Sequence, residues 1–569
     1  MLAPPTVAQW VLHPRHDPDR ARDLAGELGA PLAAAHVLVN RGHDSSASAR
    51  RFLEPSLEQL HDPFLLQDLD RAVARIERAI ADGERILVQG DYDVDGITAT
   101  FVLTTALRDL GAEVHPRVPH RTRDGYGLSA AAVDQAAALG CSLIVTVDCG
   151  ITATDAVEYA SGLGIETVVT DHHEPGPRLP AAAAVVDPHR RDCPYPFKSL
   201  AGVGVTFKLV EALLGRRGDR GRADEFLDVV ALGTIADVVP LVGENRALAR
   251  LGLESLNRTS RPGLRALIEV AGLTGKRITG GQAAFVLAPR MNAAGRMGHA
   301  EHALRLLLAR EAGSAAALAE SLDDDNRRRR ALDEMVAREA LERVPSELGW
   351  PRCASILLWS EAWHPGVLGI VASRLVERFR RPTVLVALEG RLGRGSGRSV
   401  PGVDLTRVLD GCADLLETYG GHAFAAGMVV SRERLPELRE RLEQLVGERF
   451  DPESAAPCLE IDADVTLAEC DPNLVDWLER LGPHGLENPE PVFRAGVSID
   501  SVALVGGGKH LRLGARDATG MREAIGFGLA SRADDLARSG RCEMTFVPER
   551  NEWMGETRVQ LRLRELRVP

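Results

Sequence analysis

None of the eight cysteines pairs in a CxxC motif; they are scattered at positions 141, 149, 193, 353, 412, 458, 470 and 542. That spacing offers neither a zinc knuckle nor a disulfide framework, and it suits a reducing cytoplasm. Long apolar runs are missing too, so no segment reaches membrane-spanning length. The stretch from Met1 to Arg20 carries adjacent prolines, histidines and charges where a secretory signal would need an apolar centre. Aromatic residues make up only 4% of the chain, so stacking on bases is a poor candidate for the main means of holding a nucleic acid. A basic balance is absent as well: the formal net charge is −13, which taken alone argues against a polyanionic partner. Net charge is a sum, however, and an acidic exterior can coexist with one arginine-lined channel.

What is present is an ordinary globular composition, 45% hydrophobic and 26% charged, over 569 residues. That length asks for three or four folding units. From Arg85 to about Pro240, short aliphatic runs (Ile86 to Val88, Leu143 to Val147, Thr167 to Val169) alternate with helical stretches, and Gly111, Gly140 and Gly164 close helices before strands. This predicts a parallel sheet with crossover helices. Between Glu244 and Pro345 the chain turns rich in Ala, Leu, Arg and Glu and reads as a helical connector, with DDDNRRRR at 323–330 as a solvated helix face ahead of the alternative, a nucleic-acid contact. Alternation returns with Ile356 to Leu358, an amphipathic helix from Gly366 to Phe379, and Thr383 to Ala387, predicting a second α/β domain. Near the end, Val559, Leu561 and Leu563 alternate with Gln560, Arg562 and Arg564, while Gly506 to Gly508 and Asn551 mark turns, which predicts a small β-barrel. The expected organisation is a segment 1–67 packing on the catalytic core, an α/β domain 68–243, a helical connector 244–350, a second α/β domain 351–453 and a barrel 454–569.

The strongest chemical signal is GDYDVDG at 90–96, where the first strand ends. In an extended loop alternate side chains share a face, so Asp91, Asp93 and Asp95 are expected to point together. Three like charges so crowded call for cations. Asp148 follows the second strand and Asp171, His172 and His173 follow the third; in a parallel sheet the carboxyl ends of neighbouring strands meet at one crevice. Asp237, in ALGTIADVVPL, ends an apolar helix, where a carboxylate needs a reason to approach a core. Carboxylates with imidazole and no thiolate suit Mn2+ or Mg2+. Cys149 is the one thiol nearby and reads as a small buried residue. His172 and His173, adjacent on an extended chain, are expected to face opposite ways.

GDYDVDG, VDCG at 147–150, DHH at 171–173 and ADVVPL at 236–241 resemble, in order and spacing, the four motifs of the DHH phosphoesterase superfamily. Within it the chain is most similar to the bacterial exonucleases that degrade single-stranded DNA from the 5′ end. The resemblance implies two divalent cations, Mn2+ or Mg2+, around Asp93, Asp95, Asp148, His172 and Asp237, with Asp148 shared. It implies His173 facing the scissile phosphate, Asp171 orienting a histidine, and Asp91 either supporting the centre or joining it. SGRS at 396–399 and GGHAFAAG at 420–427 resemble the substrate motifs of the accompanying DHHA1 domain, which assigns Ser396, Arg398 and His422 to a 5′-phosphate held in glycine-rich loops. Arg121, Arg123, Arg290 and Arg296 are similar to residues that contact the nucleic-acid backbone, and the barrel to an OB-fold. The implied partners are single-stranded DNA, a RecQ-type helicase and a single-strand-binding protein. No membrane partner is expected, and a cytoplasmic monomer is.

Overall fold

The computed structural model describes residues 9–121, 123–450, 458–553 and 556–568. Two compact units divide the chain: one of residues 10–289, 303–316 and 459–569, the other of residues 1–9, 290–302 and 317–458. The expected boundary at 453/454 lies outside the described residues. Among the described residues no helix is long and apolar enough to cross a membrane.

In the larger unit five parallel strands run in the order Glu113–Arg117, Arg85–Gln89, Cys141–Thr146, Glu166–Thr170 and Ala184–Val186. Helix Val94–Asp109 follows strand Arg85–Gln89, and helices Gly202–Arg216 and Leu227–Ala236 pack on it. Val94–Asp109 is buried nearly all round, so tertiary packing sustains a helix that its β-branched residues do not favour.

The same unit holds the barrel. Phe493–Val505, His510–Arg516, Met521–Gly526, Glu556–Arg567 and Arg541–Trp553 pair in that order, and Phe493–Val505 closes back on Arg541–Trp553. Leu561 and Leu563 face inward as their alternation predicts. Asn551 is not a turn residue: it lies in strand Arg541–Trp553, opposite Arg558. The N-terminal segment, expected on the catalytic core, puts Ala21, Leu24, Leu38 and Phe52 into the core of the barrel, alongside Leu474, Phe493 and Phe546. Its later part does pack on the catalytic domain: Lys208 donates to the His61 carbonyl at 2.9 Å, the His61 amide donates to Glu244 at 2.6 Å and Arg216 lies over the Phe64 ring. Buried Arg246 ties the two regions, donating to the carbonyls of Phe52, Arg480 and Leu481 and stacking on the Phe52 ring.

The smaller unit is built on a mixed sheet, Thr418–His422, Ala425–Ser431, Leu392–Arg398, Thr383–Glu389 and Ile356–Ser360, in which only the last pair is parallel. Helix Leu368–Phe379 covers it, and the long helix Ala312–Glu347 enters this unit from residue 317. The run at 323–330 is not simply a solvated face: Asp325 and Asn326 are buried, and Asp323 pairs with Arg290.

Candidate metal centre

The carboxyl ends of the three central strands of the parallel sheet bring the acidic motifs together. After Gln89 the chain does not stay extended, as GDYDVDG suggests, but starts a helix at Val94. Asp93 is its N-cap, accepting the Gly96 N–H at 3.1 Å, and Asp95 lies in its first turn. Asp95 turns inward, where the amides of Gly202 and Val203, opening another helix, donate to its carboxylate at 2.6 and 2.9 Å. Asp148 sits in the left-handed region, φ 59°, which aspartate tolerates better than most residues.

His172 is the hub. Its Nε2 lies 3.1 Å from Asp148 Oδ1, 3.6 Å from Asp237 Oδ2 and 3.9 Å from Asp95 Oδ2. Despite that proximity neither Nε2 nor Asp148 Oδ1 makes a hydrogen bond, and Asp91 Oδ1 is likewise buried without one. Buried polar atoms that converge without bonding one another fit a cation site, because an orphaned lone pair is costly. Among the described residues, Asp148, His172 and His173, and again Asp95, His172 and Asp237, each bring three ligand atoms within 4.8 Å. Asp93 is outside both sets, yet its charge acts on Asp91, Asp95, Asp148 and Asp237. The donor set, carboxylates with neutral imidazole, fits Mn2+ or Mg2+.

Electrostatics agree. Burial, followed by the Asp93 charge, pushes the Asp95 carboxyl up to about 7, and burial holds Asp91, Asp148 and Asp237 well above the carboxylate range. Burial and the neighbouring His173 bring His172 down to about 4, leaving it neutral and able to ligate. Burial also pulls on His173, but the Asp171 hydrogen bond at 2.7 Å and the Asp171 charge prevail and raise it to about 8. In Cys149, burial and the Asp171 charge raise the thiol, which is buried and directed at the Gln89 carbonyl at 3.7 Å.

The two histidines do not face opposite ways. Their ring centroids are 4.4 Å apart, because the Asp171 carboxylate accepts both following amides, at 2.8 and 3.2 Å, and curls the chain. Tyr126 completes this side: its hydroxyl donates to the Asp148 carbonyl at 3.1 Å and lies 3.1 Å from His173 Nδ1. Three contributors had no chemical signal in the sequence. They are Tyr126, Gly202, where a Cβ would lie 2.6 Å from the Asp148 Cβ, and Gly233, where it would press on Val203 and Asp95. The glycines in LAGVGV and ALGT could have been found by asking where helices must touch a crowded strand end. Val238, next to Asp237, has φ 62° and is 68% exposed; a residue with a Cβ pays about 1–2 kcal/mol for that conformation.

In the smaller unit the expected phosphate loops are strands. Ser396 and Arg398 share one face of Leu392–Arg398, and Arg398 is paired across to Ala425, itself paired to His422, so all three expected residues lie on one face. Arg398 donates to Ser396 Oγ at 3.3 Å. The first turn of helix Leu368–Phe379 lies over them: a Cβ on Gly369 would stand 2.7 Å from Arg398 Nη2 and 3.1 Å from Ser396 Oγ. Arg296 donates to the Gly366 carbonyl at 3.1 Å. The sequence had shown 366–379 only as an amphipathic helix; its opening HPGVLG is the signal for a helix start brought close to another backbone. Of the remaining arginines, Arg121 stacks over Tyr92 at 4.8 Å, while Arg123 and Arg290 are engaged with Asp124 and Asp323.

The class that this fold and site define is the DHH phosphoesterases, metal-dependent enzymes. Residues 85–234 match the DHH family, N-terminal domain, and 353–448 match the DHHA1 domain. Residues 461–565 match the RecJ OB domain. Over 564 residues the chain is 38% identical to the single-stranded-DNA-specific exonuclease RecJ of Bacillus subtilis (strain 168), covering 98% of this chain and 71% of that protein. It is 38% identical over 531 residues to the protein of the same name from Escherichia coli (strain K12), covering 89% and 90%. The crystal structure of RecJ in complex with Mn2+ from Thermus thermophilus aligns with a TM-score of 0.85 at 34% identity, over 99% of this chain and 80% of that one. The chain belongs to the RecJ family.

Proposed function

We propose that this chain hydrolyses single-stranded DNA from the 5′ end and releases 5′-mononucleotides, with two divalent cations held by Asp93, Asp95, Asp148, His172 and Asp237 and shared at Asp148. The observation that carries the reading is the meeting of His172 Nε2 with three carboxylates at 3.1–3.9 Å, unbonded to any of them. The name of the relatives, single-stranded-DNA-specific exonucleases, supports the substrate. Divalent cations there supply Lewis acidity toward the phosphate and activate water for an in-line displacement. Asp171 keeps a proton on His173 at neutral pH, and the imidazolium stabilises the charge that grows on the phosphate in the transition state. Asp91, buried beside Asp93, acts as outer support.

Ser396, Arg398 and His422, under the start of helix Leu368–Phe379, form the site of the 5′-phosphate, and Arg121 and Arg296 contact the strand's backbone. Arg123 and Arg290 join them only on exchanging their aspartate partners. By family membership the protein works in recombination and repair as a cytoplasmic monomer, with a RecQ-type helicase and a single-strand-binding protein as partners. A phosphodiesterase for very short oligonucleotides would use the centre equally well but has no use for a closed barrel.

With Mn2+ and a long 5′-labelled single strand, the expected result is release of labelled mononucleotide and its loss by about a hundred- to a thousandfold in Asp148→Ala, the scale set by removing a group that acts in the transition state. Activity on di- and trinucleotides alone, or an unaffected Asp148→Ala, would refute the assignment. For the pocket, Arg398→Ala is expected to weaken 5′-phosphorylated strands by roughly tenfold or more and 5′-hydroxyl strands far less, since a charged hydrogen bond is worth about 1.5–3 kcal/mol. Competition binding with the two strands measures this.

A further inference from the structure

Val238 follows Asp237 at the end of helix Leu227–Ala236, at the position where helices ordinarily place glycine. Its φ of 62° is the least suitable backbone for a β-branched side chain, and of the non-glycine residues with positive φ, which include Asp68, Asp148, Arg380 and Glu487, it alone among the described residues is β-branched. Burial does not compensate, since the side chain is 68% exposed; among the large exposed hydrophobics described, only Phe285, at 77%, is more so. Nor does Asp237 need it: the helix is capped by the Asp237 amide on the Gly233 carbonyl at 3.0 Å, a bond indifferent to the next side chain. Backbone and core would both be better served by glycine or asparagine, so the isopropyl group serves something outside the fold.

Its position says what. Asp237 Oδ2 is 3.6 Å from His172 Nε2, and the Asp237 side chain is partly open to solvent. One peptide away from that carboxylate, Val238 presents an exposed apolar group to solvent. From this we infer that Val238 is a substrate-contacting residue, packing on the apolar sugar and base of the nucleotide next to the scissile phosphate. The inference rests on the nuclease reading above.

The test uses the full-length protein with Mn2+ and three variants, Val238→Gly, Val238→Asn and Val238→Ile. Glycine and asparagine fit the left-handed backbone and remove the apolar contact. Both are expected to raise the midpoint of thermal unfolding, to leave Mn2+ affinity in calorimetry as in the parent, and to raise KM for a single strand by about tenfold, the loss that one unburied Val side chain represents. Val238→Ile is expected to keep the parent KM. A KM within twofold of the parent in the glycine and asparagine variants overturns the inference. So does a parallel loss of Mn2+ affinity, which would make Val238 only a positioning residue for Asp237. A parent protein that cleaves no single strand overturns the nuclease reading and this inference with it, whereas an active parent with indifferent variants overturns this inference alone.

Discussion

At the scale of single residues, the metal centre depends as much on missing atoms as on ligands. Gly202 donates its amide to Asp95 and leaves room for Asp148, so one position serves two carboxylates. Gly202→Ala is expected to lower Mn2+ affinity by roughly ten- to a hundredfold, the usual effect of disturbing a ligand's support, while calorimetry on the folded variant still finds binding. An unchanged affinity would show that Asp148 can move without consequence. The meeting of Asp95, Asp148, His172 and Asp237 was legible in sequence because each motif follows an aliphatic strand or helix, where a charge has no structural use. Their supports were not, because a glycine's function here is the space it leaves, and only the packed neighbours define that space. The curl at Asp171 escaped for a similar reason: whether DHH runs extended or turns depends on which amides the carboxylate accepts.

At the scale of elements, two misreadings share one cause. Leu392–Arg398 looks like a loop because glycine is scarce in strands, but Gly393, Gly395 and Gly397 form one face on which Val386, Met428 and Leu405 lie. GDYDVDG looks like an extended loop until the cap that Asp93 makes to the Gly96 amide, and the burial of the helix it opens, are known. In both, neighbours decide what local propensity leaves open. The junction between the N-terminal helices, helix Gly243–Leu256 and the barrel carries a pH dependence. Burial, then Arg246 and Arg41, brings His43 down to about 4; burial, then Arg41, does the same for His484. Both are neutral in the fold and take up protons near 6.5 once unfolded. Their contribution to stability is therefore complete above pH 6.5 and declines as pH falls from about 6.5 to about 4. Thermal unfolding followed across that range is expected to show a drop in midpoint that His43→Phe reduces; a midpoint flat from pH 7 to 4.5 would contradict this.

At the scale of the whole molecule, the chain order hides the architecture. Alternation between strand-like and helical stretches indicated two α/β domains and a barrel, and the structure has these. Nothing in a linear reading indicates that residues 21–53 belong with 463–566, because a core shared by distant segments leaves no periodicity of its own. Deleting residues 459–569 alone is expected to leave Leu24, Leu38 and Phe52 uncovered and the product insoluble. Deleting residues 1–54 together with 459–569 is expected to leave a soluble protein, as sedimentation of the two products would show. The reverse solubility would mean the N-terminal helices have a second home.

The shared core also fixes a timetable for biosynthesis. Its first half, residues 21–53, is synthesised about 400 residues before its second half at 463–566, so the apolar faces of the early helices wait, unpartnered, while the intervening chain is made. A cell making this protein needs something to shelter them in that interval, and any premature stop past the catalytic motifs yields an aggregation-prone fragment.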